Sequence, residues 1–354
     1  MDRLFESFAI KGVKINNRIC MPPCVCFSFS NEQGFVTDKN VEHYKNLAQG
    51  GCGLIIQEAT CVSPTGKLSA DQLGIWSDEH IPGLRRIVDT VHAEGVPIFI
   101  QIHHAGVLGI SSEPMFCPSV YQLTHKGRLK TGREMTAAEI EQTIEDFAQA
   151  ARRAAEAGYD GVELHGCHQY LICQFNNTRV NRRTDEYGLN PTLFEMRVYE
   201  AVRKAVPEDF IVGIRLGAFE PTIADGVAHA KELSDNGIDF IDVSYGFYGE
   251  EEPEKPVGFP YKDVVWAAGE IKRHVNCPVF AVNSIRTAEE ARGALELTGV
   301  DMVDVARGML ANPWWVNDVK AGKKPSSCLW CKECFWRTTP EKCPGRKLRL
   351  RENG

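Results

Sequence analysis

The stretch from Gly161 to Gly188, GVELHGCHQYLICQFNNTRVNRRTDEYG, holds the densest chemistry in the chain. Val162 and Leu164 mark a short apolar strand, and His165, His168 and Tyr170 follow at its end. Strands buried on both faces read as short apolar runs, and polar residues at their C-terminal ends collect at sites. Three hydrogen-bonding rings so close together suit a pocket that holds an oxygen and moves a proton. The H-x-x-H spacing also suits a metal pair, although no carboxylate follows at a familiar ligand spacing. Satisfied core histidines are the third reading. The polar run Arg183 to Gly188 reads as a hydrogen-bonded structural loop.

The elements that position these rings follow a regular alternation. Short apolar runs at 18–21, 53–58, 96–102, 161–165, 211–216, 238–243, 278–282 and 302–306 read as strands. Between most of them lie amphipathic helical stretches, including 43–49, 81–94, 136–157, 194–206, 224–236, 261–274 and 287–297. Thr136 and Glu139 form a capping box, and Gly158 is the stop signal of that helix. About eight strand–helix units predict a (β/α)8 TIM barrel. A doubly wound open sheet would show a G-x-G-x-x-G turn after its first strand, and here that turn is Pro-Pro-Cys-Val-Cys. The long stretch from His103 to Arg133 reads as an irregular lid or insertion. Residues 1–322 are expected to form the barrel, and 323–354 a Cys-rich, basic C-terminal extension.

Composition narrows the function classes. The 354 residues are 43% hydrophobic and 25% charged, which is ordinary globular composition. A net charge of −7 argues against nucleic acid as a partner. No apolar run reaches the length of a membrane helix, and the charged N-terminus does not suit a secretory signal. The expected location is the cytoplasm, where most of the thirteen cysteines would stay reduced.

Closing a barrel brings its strand ends together. Pro23 and Cys24, Ala59, Gln101, His103 and His104, Arg215, Ser244 to Tyr248, Asn283-Ser284 and Ala306-Arg307 join the histidines there. Backbone amides at Ser284 and Ala306 with the Arg307 guanidinium suit a phosphate dianion. His103 and His104 read as surrounding residues without a catalytic role.

With these stretches assembled, the chain resembles the Old Yellow Enzyme-type FMN-dependent ene-reductases, on the branch shared with the barrel domain of 2,4-dienoyl-CoA reductase. The resemblance is carried by Asn17 to Pro23, Leu73 to Asp78, Gln101 to Gly106, His165 to Tyr170, Arg182 to Gly188 and the Arg307 turn. It implies FMN across the barrel mouth and NAD(P)H as the electron source. Pro23, Cys24, Val25 and Ala59 would contact the flavin ring, Gln101 its pyrimidine edge, and Arg215 would lie near N1. Asn283, Ser284, Ala306 and Arg307 would hold the phosphate. His165 and His168 would bind the carbonyl oxygen of an α,β-unsaturated substrate, and Tyr170 would deliver the proton. Related barrels imply two alternatives: an amine dehydrogenase that oxidises C–N bonds, and a non-catalytic electron-relay flavin subunit. The chain departs from the pattern at Val25, where relatives carry Thr or Cys, at Asn283-Ser284 and at Ala306. It also lacks the histidine that dienoyl-CoA reductases carry after the sixth strand.

Cys328, Cys331, Cys334 and Cys343 form a C-x2-C-x2-C set with one further cysteine, a ligand set for a 4Fe-4S cluster or for zinc. Free thiols are the remaining reading. The resemblance favours the cluster, and with no second nucleotide-binding domain in these residues it implies an electron-donor partner protein. In a homo-oligomer, Arg349 or Arg351 of the basic tail would reach a neighbouring active site.

Overall fold

The computed structural model describes residues 2–110, 115–125, 127–247, 255–325 and 328–352. Eight parallel strands close into a barrel: β1 (Ile19–Met21), β2 (Leu54–Cys61), β3 (Ile98–His103), β4 (Gly161–Gly166), β5 (Ile211–Gly217), β6 (Phe240–Ser244), β7 (Val279–Ala281) and β8 (Met302–Asp304). Each strand pairs with the next in sequence, and β8 pairs with β1. Every residue of all eight is buried, which is why they read as unbroken apolar runs instead of alternating ones. The open-sheet alternative is therefore excluded, and the expected strand bounds hold to within a few residues.

Helices α1 (Asp38–Gln49), α2 (Ile81–His92), α3 (Ala137–Ala157), α4 (Leu193–Ala205), α5 (Ile223–Asp235), α6 (Asp263–Lys272), α7 (Ala288–Thr298) and α8 (Ala306–Ala311) follow the strands in order. The main apolar core lies between them and the barrel. The signals on α3 act as expected: Thr136 and Glu139 close a capping box, and Gly158 ends the helix at φ +95°, a conformation glycine adopts without strain.

The inside of the barrel is stratified by the two-residue period of the strands. Its lowest layer contains Phe99, Phe240, Phe280, Ile211 and Met302, with Phe240 stacked on both other rings at 5.4 and 4.9 Å. Gly213 sits where a Cβ would lie 2.1 Å from the Phe240 ring, so only glycine admits that ring. A hairpin of Phe8–Ile10 and Val13–Ile15 closes the floor by packing Ile10 and Ile15 beneath this layer. Two residues further along the strands the interior turns polar, with Gln101, Glu163, Asp242 and Asp304, joined by Arg215 two residues beyond Gly213. Two residues further again come His103, His165 and Ser244 at the mouth.

Two elements correct the sequence reading. The N-terminal arm contains the floor hairpin, and the stretch read as irregular contains a three-stranded sheet. Within that sheet Arg128–Glu134 is central, parallel to Met115–Cys117 and antiparallel to Tyr121–His125.

Candidate functional site

Register places the site residues. Gln101 is level with Glu163, and His165 with Arg215, which is level in turn with Asp242. Chain direction then changes sharply after β4. His168 and Gln169 both take left-handed backbone, at φ 58° and 64°, conformations that persist in non-glycine residues only where the surroundings hold them. The His168 amide donates to the Tyr245 carbonyl at 2.9 Å, one of the bonds that hold this turn.

The turn brings four residues into one hydrogen-bonded row. Nδ1 of His103 lies 3.0 Å from Nδ1 of His165, Nε2 of His165 lies 3.1 Å from Nδ1 of His168, and Nε2 of His168 lies 2.7 Å from the Ser244 hydroxyl. Nε2 of His103 has no partner and is buried. A buried N–H without an acceptor is rarer than a bare acceptor. The donors therefore run from His103 to His165 to His168 to Ser244, and His165 carries its proton on Nε2. The Tyr170 ring stands edge-on to His103 at 4.5 Å and to His165 at 4.8 Å. The three rings expected together are together, and His103 hydrogen-bonds into the row through His165.

Burial holds these imidazoles neutral. It pushes His103 down to about 3, and it lowers His165 and His168 well below the usual range, with neighbouring histidines and Arg215 adding to the effect. Neutral rings can each donate one proton without themselves carrying charge. His165, Cys167 and His168 also bring three metal-capable atoms within 4.8 Å of one another. Both ring nitrogens of each histidine are already engaged, and burial raises the Cys167 thiol well above its ordinary value, which disfavours the thiolate a metal needs. The geometry favours the hydrogen-bonded reading over the metal pair.

Beneath the row, Arg215 donates charge to a buried acidic layer. Its Nη1 lies 3.2 Å from Asp242, so the ion-pair role and the mouth position coincide. Burial opposes the Arg215 charge, but Asp242 and its neighbours outweigh that and hold the guanidinium protonated. Burial raises the carboxyls of Glu163, Asp242 and Asp304. Gln101 donates its amide to Glu163 at 2.7 Å. The buried amide that called for a specific partner thus has one on the adjacent strand, and its burial by itself gives no evidence for a cofactor.

A cavity of about 220 Å³ opens beside His168 and Arg215 and runs past Asn283, Ser284, Ala306 and Arg307. Asn283 and Ser284 take φ values of 103° and 59°, left-handed geometry in which successive backbone amides can turn toward one anion. With Arg307 beside them, these residues fit a phosphate at the end of a flavin. Arg286, Asp304 and Trp330 line the same cavity and were not singled out from the sequence. Pro23, Cys24 and Val25 are half-buried just after β1, and Ala59 is buried on β2. The Cys24 carbonyl accepts from the Trp336 indole at 3.3 Å. Tyr248 lies outside the described residues.

The extension docks onto this mouth. Phe27 N–H donates to the Arg337 carbonyl at 2.9 Å, and the Trp336 side chain is buried. Cys328, Cys331, Cys334 and Cys343 line one small cavity together with Arg307. Arg349 pairs with Asp318 at 2.8 Å and lies over Trp314, so it is held within its own chain. The side chain of Arg351 lies outside the described residues.

Residues 3–325 match the NADH:flavin oxidoreductase / NADH oxidase family. An NADPH dehydrogenase of Geobacillus sp. (strain WCH70) is 40% identical over 318 residues, covering 88% of this chain and 92% of that one. An NADH oxidase of Thermoanaerobacter brockii is 37% identical over 346 residues, covering 93% of this chain but 52% of the relative, so the chain spans about half its length. Among solved structures, the old yellow enzyme homologue from Zymomonas mobilis is 27% identical with a TM-score of 0.82, covering 96% of this chain and 99% of that one.

Proposed function

The chain belongs to the NADH:flavin oxidoreductase / NADH oxidase family, and from that premise we propose that it reduces the C=C bond of an α,β-unsaturated carbonyl compound, with FMN as cofactor and NAD(P)H as electron source. The observation that carries this reading is the convergence of His165, His168 and Tyr170 at a barrel mouth whose other side is the Ser284–Arg307 anion pocket. When bound, FMN supplies the hydride that it has received from NAD(P)H. The residues of the chain do the rest. Asn283, Ser284, Ala306 and Arg307 hold the phosphate, while Pro23, Cys24, Val25, Ala59 and Gln101 border the ring. Arg215, kept charged by Asp242, places positive charge beneath the mouth, where negative charge develops on reduction. His165 and His168 donate to the substrate carbonyl oxygen as neutral imidazoles, and Tyr170 gives the proton to the α-carbon.

An anaerobic absorption spectrum of the purified chain, followed by stoichiometric mixing of the NADH-reduced protein with an enone, tests this. Flavin bands that bleach with NAD(P)H and return with enone are expected. A chain that takes up no FMN, or whose reduced flavin ignores enones, refutes it.

For the extension we propose a 4Fe-4S cluster on Cys328, Cys331, Cys334 and Cys343, within a segment spanning about residues 323–354. The four cysteines line one small cavity, and the resemblance to cluster-bearing reductases favours iron over zinc. Iron and zinc analysis of the same sample decides, and zinc without iron overturns the cluster. An electron-donor protein partner belongs to this proposal, as does a cytoplasmic location, consistent with thirteen cysteines that form no disulfide. No helix among the described residues is long and apolar enough to cross a membrane.

A further inference from the structure

Two guanidiniums share one aromatic ring at the phosphate end of the cavity. Arg307 lies 3.4 Å and Arg286 lies 4.4 Å from the centroid of the Trp330 ring. All three side chains line the cavity that Ser284 also borders. Arg286 follows β7 and Arg307 opens α8, so both reach the mouth from the barrel, whereas Trp330 arrives from the Cys-rich extension. Trp330 does so with φ 54°, a left-handed conformation that a bulky residue keeps only under tertiary constraint.

The pairing of the two cations is unusual in what it lacks. Among the described residues neither guanidinium is paired with a carboxylate. Two cations without a carboxylate partner, held together beside one cavity, mark a place for an anion. A guanidinium stacked on an indole uses its flat face and leaves its N–H edges free to donate. Attraction to the ring offsets part of the repulsion between the two cations before any anion arrives.

We propose that Trp330 completes the cofactor-phosphate site from the extension, holding Arg286 and Arg307 by their faces so that both offer N–H edges to the phosphate. This rests on the flavin reading of the mouth given above. It makes Arg286 a second phosphate-binding cation alongside Arg307. It also makes residues 328–330 part of the cofactor site, in addition to any cluster they carry.

The test compares FMN with riboflavin, which has the same ring system and no phosphate, on full-length chain stripped of flavin. Trp330→Leu should weaken FMN about tenfold and leave riboflavin affinity unchanged, while Trp330→Phe keeps a ring and recovers most of the loss. Arg286→Gln should behave like Trp330→Leu, and the double variant should lose less than the two single losses combined. Equal losses for both flavins would make Trp330 a packing residue and overturn the proposal, as would an unchanged FMN affinity. If the wild type binds neither flavin, the flavin reading fails on its own. Titration with inorganic phosphate, read as the fluorescence difference between wild type and Trp330→Phe, then decides the clamp. A saturable change that Arg286→Gln abolishes keeps it, and no change overturns it.

Discussion

His165 and His168 meet ring to ring, Nε2 to Nδ1 at 3.1 Å, so each spends on the other the group that an incoming carbonyl oxygen would use. An oxygen placed between them accepts from His165 Nε2–H, and from His168 once its proton shifts to Nδ1 and the Ser244 hydroxyl donates to Nε2 instead. Binding is therefore favoured most for oxygens that carry negative charge, the state a carbonyl approaches as hydride adds to its conjugated alkene.

His165→Ala should consequently weaken a phenolate ligand, which mimics that charged oxygen, by roughly ten- to a hundredfold. Titration followed by flavin absorbance measures it. Unchanged affinity would remove His165 from the oxygen cradle.

Tyr170→Phe keeps the edge-on contacts with His103 and His165 and deletes only the phenol proton. Rapid mixing should show oxidation of the reduced protein by enone slowed by roughly 10²-fold or more, the usual scale for losing a general acid. Reduction by NAD(P)H should be nearly unaffected. Equal slowing of both half-reactions would assign Tyr170 to packing.

The row of imidazoles should be silent in pH profiles. Burial holds His165 and His168 well below their ordinary value and His103 at about 3, so none of them titrates near neutrality. Affinity for a non-ionising enone should show no step near pH 6.5, where a free histidine would give one. A step there would show that an imidazole of the row is protonated in the resting protein.

Glu195 gives a stability test away from the mouth. Burial pushes its carboxyl up to about 8, Asn176 opposes this through a hydrogen bond, and Glu232 adds to it. A carboxyl raised on folding contributes its stability below the unfolded value of 4.5 and loses it as pH rises through the folded value. Through this group the wild type should lose up to about 5 kcal/mol between mildly acid and alkaline pH. Glu195→Gln cannot titrate, so its stability relative to wild type should improve between about pH 6 and pH 9 in urea unfolding curves. A difference that stays constant would mean that Glu195 is ionised at both.

Much of the architecture was legible because burial writes it plainly. Strands sealed on both faces leave apolar runs such as Ile98–Ile102, and the Thr136–Glu139 box marks a helix start by chemistry alone. The sheet around Arg128–Glu134 was not legible, since its strands are short, partly exposed and interrupted by Gly132. The histidine–tyrosine cluster could be found because six residues contain it. The Gln101–Glu163 pair could not, because it depends on the register between β3 and β4. The same holds for Trp330, which reaches Arg286 and Arg307 only once the extension has folded back over the mouth.

The apolar floor beneath the barrel has a consequence for proton traffic. Ile10 and Ile15 close the lower end under a layer of phenylalanines, so the described residues below Glu163, Asp242 and Asp304 form an apolar plug. The open cavity at the mouth borders Asp304 and Arg215, and a flavin bound there would cover it. With flavin bound, proton exchange between those carboxyls and solvent should therefore slow, so the charge beside Arg215 should respond to a pH jump more slowly than in flavin-free protein.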